Sequence, residues 1–194
     1  EPIRRRAGAC DAVLVGCGLG RGPGCDALVR RLLDLDRPLV LDADGINALS
    51  GHIDLLDARR GRPTVLTPHE VEFARIGGDL SRGDRERAAQ DFAMAHGCVL
   101  VLKGHRTVTA SPEGDVLVNT TGGSGLAKGG SGDVLTGVIA SLMAQRADAL
   151  RAAAVGVWLH GRAGDLAEQE LTAYSVTPED VVRKLPDAIR EILE

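Results

Sequence analysis

Aromatic side chains are nearly absent from this sequence, which has one Trp, one Tyr and two Phe among 194 residues. So few rings cannot make the row of stacking platforms that single-stranded nucleic acid needs, and the core has to be built from Leu, Val, Ile and Ala. Clustered positive charge is scarce as well. The formal net charge is −4 and the one basic run is Arg4-Arg5-Arg6, too short to neutralise a length of phosphate backbone, so it reads as solvated surface. Cys10, Cys17, Cys25 and Cys98 form no CxxC pair and have no His at zinc-ligand spacing, so no metal-ligating residues are assigned. A reducing cytoplasm suits such thiols. Long apolar runs are also missing: Gly or charge interrupts each one well short of the ~20 residues of a membrane span, and the N-terminus has no apolar signal-peptide core. Neither nucleic acid nor a membrane is an expected partner.

What is present is an ordinary globular composition, 44% apolar, arranged as strands alternating with helices. Ala12–Gly16 is a short β-rich run ending in glycine. An amphipathic stretch follows from Pro23 to Leu35, and then a second strand, Pro38–Asp42. Thr64–Leu66 is a third, ending in Thr67-Pro68-His69-Glu70, where Thr67 is expected to cap a helix, Pro68 to open it and Glu70 to close a capping box. Ser81–His96 reads as a helix and Cys98–Leu102 as a fourth strand. Arg106–Ala110 and Val116–Asn119 flank a Pro- and Gly-containing turn and read as a hairpin. Asp133–Gln145, Ala149–Glu168 and a segment after Thr177-Pro178 are the remaining helices. The expected fold is α/β: a doubly wound, mostly parallel sheet with helices on both faces and a small antiparallel edge, in one domain over residues 1–194, with ligands beyond the carboxyl ends of the strands.

The glycine-rich stretch from Asn119 to Asp133 carries the strongest chemical signal. Its glycines lead into an apolar helix, whose free N–H groups and dipole make an anion site. Asp133 then stands beside bound phosphate, where a carboxylate is useful as a general base for an attacking hydroxyl while the amides absorb developing charge. Lys128 does not complete a Walker A motif, because Ala127 precedes it and Gly129 follows it. Gly16-Cys17-Gly18-Leu19-Gly20 suggests a dinucleotide fingerprint, but Arg21 stands where the third glycine belongs, so a glycine-lined substrate loop is the better reading. Asp42, Asp44 and Asn47 follow a strand end, where they could bond a substrate, a hydrated cation or simply cap a turn. His69 lies past another strand end, facing substrate or merely opening a helix. Lys103, with the turn from Gly104 to Thr107, can offer an ammonium and backbone donors to phosphate. His160, inside an apolar helix, is assigned to packing.

Taken in order, GCGLG, VLDADGIN, TPHEVEFARI, VLKGHRT, NTTGGSGLAKGGSGDVLTG and VWLHGRAGDLA resemble the ADP-dependent NAD(P)H-hydrate dehydratases, members of the ribokinase-like superfamily. The resemblance implies a ribokinase-like fold and ADP- or ATP-dependent return of hydrated NADH or NADPH to the reduced coenzyme. It places the nucleotide on Lys103, Gly104, His105, Arg106 and Thr107, with Asn119, Gly130 and Gly132. It places the hydrated substrate on Gly18, Asp42, Asn47, His69 and Asp133, with Asp133 as the catalytic base. It further implies Mg2+ with the nucleotide, a cytoplasmic homo-oligomer and association with an NAD(P)H-hydrate epimerase. Two positions depart from the family's pattern, Cys17 for a proline and Lys128 for a threonine. The family usually carries a further N-terminal stretch, so the chain reads as N-terminally truncated. A kinase of hydroxymethylpyrimidine or hydroxyethylthiazole, an inactive nucleotide-binding fragment and a dehydrogenase using the GCGLG loop are the alternatives.

Overall fold

The computed structural model describes residues 2–194. At its centre is a six-stranded sheet running in sequence order through β1 (Val13–Val15), β2 (Leu39–Leu41), β3 (Thr64–Leu66), β4 (Val99–Leu102), β5 (Val108–Ala110) and β6 (Val116–Val118). The first four pair in parallel, while β5 and β6 form the antiparallel edge, with Leu100 opposite Ala110 and Thr109 opposite Leu117. The mostly parallel sheet with an antiparallel edge and helices on both faces is thus the fold expected from the sequence.

Because successive parallel strands step in one direction, right-handed crossovers put their connecting helices on one face. That face holds α2 (Pro23–Leu33), the short α3 (Asp44–Asn47), the 3-10 segment Ile53–Arg59, α4 (Glu70–Arg75) and α5 (Arg85–His96). The other face holds α6 (Ser131–Ala144) and α7 (Ala149–Leu171), and α8 (Pro178–Leu193) packs on α7. Side chains alternate across a strand, and the alternation sorts two residue types. Leu39, Leu41, Leu66, Leu100 and Leu102 project to the crossover face, where they meet Phe73 and Phe92 in an edge contact 5.2 Å between centroids. Val40, Val65, Val99 and Val101 project to the other face against Leu135, Ile139, Ala152, Ala153 and Val157. The shorter valines and alanines let α6 and α7 approach closely: a Cβ on Gly156 would stand 2.7 Å from Ile139 Cγ1. Each such buried aliphatic side chain stabilises the fold by about 1.5–3 kcal/mol.

Two helix starts and one additional helix differ most from the sequence reading. The helix after β3 is capped by His69, whose Nδ1 accepts from the amides of Val71 and Glu72, and Glu72 closes the capping box in place of Glu70. The cap is delayed because the ladder outlasts β3: Lys103 N–H donates to Pro68 O and His69 bridges Lys103, holding Thr67 to His69 extended. Helix α5 starts at Arg85, not Ser81, with Gly83 at φ +69 and Asp84 as its cap. A short α1 (Pro2–Gly8), unforeseen because it buries nothing, carries Arg4 to Arg6 exposed to solvent.

Candidate active site at the carboxyl edge of the sheet

The loops after β1 and β2 touch backbone to backbone. A Cβ on Gly16 would lie 1.8 Å from Asp42 O, and one on Gly45 would lie 2.4 Å from Val15 O. Only glycine fits there. Between them Ala43 takes a left-handed φ of +47, unusual for a residue with a side chain. This turn presses Asp42 inward until 2% of it is exposed. Its Oδ1 accepts from Lys103 Nζ at 2.6 Å and from Thr67 Oγ1 at 2.7 Å. Thr67 is therefore spent on Asp42, not on a helix cap. The buried carboxylate of Glu72 lies 3.9 Å from the same ammonium.

On the other side of Asp42, Cys17 Sγ lies 3.8 Å from Oδ2 and 3.6 Å from Thr136 Oγ1. Asp133, exposed in the first turn of α6, completes a group in which one ligand atom from each of Cys17, Asp42 and Asp133 lies within 4.8 Å of the others. Burial pushes the Cys17 thiol up to about 11, and Asp133 and Asp42 add to that while a bond to Thr136 opposes it. The thiol is thus a neutral wall of the site and not a nucleophile.

A cavity of about 770 Å³ opens beside this cluster, and Lys103, Gly104, His105, Arg106, Thr107, Asn119 and Gly132 all line it, as does His69. Among the described residues, no protein acceptor takes the amides of Gly104, His105, Arg106 or Thr107. Arg85 explains their orientation: its guanidinium donates to the carbonyls of Lys103 at 3.1 Å and His105 at 2.9 Å, and Thr107 Oγ1 closes the turn on Gly104 O. With the carbonyls turned to Arg85, the turn is left as a nest of donors suited to an anion. Gly132 faces this nest, where a Cβ would stand 3.5 Å from Lys103 Nζ. Gly130, at φ +90, caps α6 and stands outside the cavity lining.

Three further placements refine the sequence assignments. Gly18, at φ +65, sits in open space on the loop after β1, close to the Cys17 cluster. Asn47 does not reach the cavity: its amide donates to Asp44 Oδ1 and its carbonyl accepts from Arg75 Nη1. His69 is fixed in tautomer, because Nδ1 is occupied as an acceptor and the ring proton is left on Nε2.

Sequence reasoning missed the residues that shape the glycine loop. Asp165 accepts from Gly122 N through both oxygens at 3.1 Å, and Glu168 accepts from Gly125 N at 2.6 Å. Both acids stand on α7, beside Gly161 and Gly164, where a Cβ would lie 2.2 Å from Thr121 Oγ1 and 2.8 Å from Leu126 Cδ2. Two glycines three apart inside a helix, each followed four residues later by an acid, were the available signal. Lys128 donates to the carbonyls of Tyr174 and Val176, anchoring the loop's far end. His160, buried on α7, pairs its Nε2 with Ser131 Oγ at 3.2 Å, and burial, aided by Lys103, pushes it down to about 4.

A mostly parallel sheet with a glycine-led helix and a donor nest at its carboxyl edge defines a ribokinase-like protein. A hydroxyethylthiazole kinase from Pyrococcus horikoshii shares that fold at TM-score 0.76 and 16% identity, covering 96% of this chain and 73% of its own. More closely, the chain matches the family described as NAD(P)H-hydrate dehydratase over residues 3–187, and it belongs to that family. It is 42% identical to a bifunctional NAD(P)H-hydrate repair enzyme from Salinibacter ruber, over 98% of this chain and 36% of the relative. It is also 42% identical to an ADP-dependent (S)-NAD(P)H-hydrate dehydratase from Neisseria meningitidis, over 82% of this chain and 56% of the relative. Among solved structures, the ADP/ATP-dependent NAD(P)H-hydrate dehydratase of Bacillus subtilis, co-crystallised with ATP and Mg2+, superposes at TM-score 0.80 and 31% identity, covering 97% of this chain and 71% of that one. The chain thus spans between a third and three fifths of the two curated relatives.

Proposed function

We propose that the chain acts as a carbon–oxygen lyase that dehydrates hydrated NADH or NADPH, with ADP or ATP as the phosphoryl donor. One observation carries the reading: an exposed carboxylate, Asp133, stands at the start of α6 between a cavity lined with free amides and the loop that holds Gly18. Hydroxide is a poor leaving group, since water has a pKa of about 15.7. Phosphorylating the ring hydroxyl turns it into a phosphate that can leave. Asp133 takes the hydroxyl proton as the oxygen attacks the terminal phosphorus, whose bond to the bridging oxygen breaks with its electron pair leaving on AMP or ADP; phosphate then leaves the ring with the carbon–oxygen electron pair while the adjacent ring carbon gives up a proton to water, which restores the ring double bond. The amides of Gly104 to Thr107 and Gly132 hold the donor's phosphates, and Asn119, whose amide is bonded to Thr121, and Gly130 support the loop around them. His69, which lines the cavity with its Nε2 3.5 Å from Glu72 Oε1, and Gly18 are assigned to the substrate.

Mg2+ is hard, keeps several waters and binds one or two carboxylates together with phosphates. Exposed Asp133 and the nearby Oδ2 of Asp42 match that donor chemistry, whereas protonated Cys17 does not. These residues fit an ion brought in on the nucleotide; when bound it neutralises phosphate charge. The chain is further proposed to work in the cytoplasm as a homo-oligomer beside an epimerase of the same substrate, in keeping with the bifunctional relatives and with no helix of the described residues being long and apolar enough to cross a membrane.

The test is to add hydrated NADH with ADP, and separately with ATP, and follow the near-ultraviolet absorbance of the reduced nicotinamide. Nucleotide-dependent recovery supports the dehydratase. Bound nucleotide without recovery rejects it, and a stable phosphorylated product from a vitamin precursor would put a small-molecule kinase in its place.

A further inference from the structure

Lys103 is an unusual phosphate ligand, because its charge is already spoken for. It follows β4 directly with 19% of its side chain exposed, 2.6 Å from Asp42 Oδ1 and 3.9 Å from Glu72 Oε2, and both acids are buried. Thr67 holds Asp42 in place from below, and the His69 amide, donating at 2.9 Å, holds Glu72. A cation flanked by two anchored carboxylates is less attractive to phosphate than a free one. Asp42, for its part, is too buried to touch a substrate. Its Oδ2 stands near Asp133, while its Oδ1 acts on the phosphate side through Lys103, which lines the nucleotide cavity and lies beside Gly132, one residue before Asp133.

We propose that Asp42 is a positioning residue acting through Lys103: it gives up nucleotide affinity in order to hold the ammonium at one place between the donor's phosphates and Asp133. This rests on the dehydratase reading for its catalytic half and on the cavity alone for its binding half. Two effects of opposite sign follow. Asp42→Asn keeps the Thr67 bond and shape but frees the ammonium toward the cavity, so ADP should bind several-fold more tightly. With Lys103 no longer held, turnover should fall by about 10²-fold, the scale of loss a misplacement of about 1 Å can cause. A merely structural Asp42 would weaken ADP binding or leave it alone.

The experiment is a double-mutant cycle of Asp42→Asn and Lys103→Met, reading ADP affinity by calorimetry and turnover by NADH recovery. Removing both charges together also guards against a fold left with one unpaired buried ion. The expected result is tighter ADP binding and slower turnover for Asp42→Asn alone, and no further change from Asp42→Asn once Lys103 is Met. Unchanged or weaker ADP binding by the single variant overturns the proposal, as does an Asp42→Asn effect that persists beside Met. If the unaltered chain binds ADP but restores no NADH, the dehydratase reading fails while the affinity half of the cycle still decides the role of Asp42.

Discussion

The two ends of the parallel sheet each hold a cation, and they treat it in opposite ways. At the amino end Arg59, 1% exposed, has no carboxylate partner within 4.0 Å among the described residues. Its five donor bonds go to Thr64 Oγ1 and the carbonyls of Leu33, Leu35, Arg37 and Pro63, tying the end of α2 to the starts of β2 and β3. Burial pushes the guanidinium down to about 10, still far above neutral pH. At the carboxyl end Lys103 is held by Asp42, on a loop that contains a left-handed Ala43, with Glu72 of α4 3.9 Å away. A fork saturated by neutral carbonyls has nothing to exchange and only stabilises. An ammonium held by carboxylates can be contested by another anion, and among the described residues no protein acceptor takes the neighbouring amides. Fold and chemistry are segregated along the strands, as open α/β sheets allow.

The contrast breaks most sharply at Asp133. Asp133→Asn should lower turnover by about 10²–10⁴-fold, the usual worth of a general base, with ADP affinity nearly unchanged in calorimetry; an equal loss of binding and rate would remove the base from its role. At the opposite end, Arg59→Met should leave ADP affinity intact and cost about 3 kcal/mol of stability by orphaning buried carbonyls, read as a lower urea midpoint. Loss of nucleotide binding in that variant would mean the two ends are not independent.

His160 joins the two kinds of behaviour. Its folded pKa, about 4, lies below the ordinary 6.5 because the ring is buried. The unfolded chain therefore binds the extra proton first, so stability is full above pH 6.5 and falls as pH drops toward 4, by up to about 3 kcal/mol. Unfolding by urea at a series of pH values should show that slope, and His160→Gln should flatten it. The smallest effect is expected at the loop clamp. Glu168→Gln weakens one charge-assisted bond to Gly125 N by about 1 kcal/mol, which should raise KM for ADP several-fold with kcat little altered; a change confined to kcat would separate the loop from nucleotide binding.

Much of this arrangement could be read from the sequence, for identifiable reasons. The parallel strands are short apolar runs bounded by Gly, Pro or charge, and each falls within a residue or two of its expected place, β3 to the residue. The structure gathers parts of the stretch from Asn119 to Asp133 and the turn after Lys103 around one cavity; the first stands out because glycine before an apolar helix has few other uses, the second because a lysine and glycine follow a strand end. Contacts between distant segments were not legible. Nothing local says that Thr67 bonds Asp42 across the sheet, so Thr67 reads as a cap and Asp42 as a substrate contact. Asn47 lies beside the right strand yet turns to Arg75, because α3 directs it away from the cavity. The clamp by Asp165 and Glu168 needs the position of α7 relative to a loop some forty residues earlier.

The backbone contact between Gly16, Asp42 and Gly45 also has a mechanical meaning. With no side chain between them to bend or slide, the two loops that carry Cys17 and Asp42 form one rigid anvil. On the dehydratase reading, any travel that brings phosphorus and hydroxyl together falls to the opposing side, where α6 begins and the glycine loop hangs from two carboxylates of α7. The hammer, in this molecule, is the helix that bears Asp133.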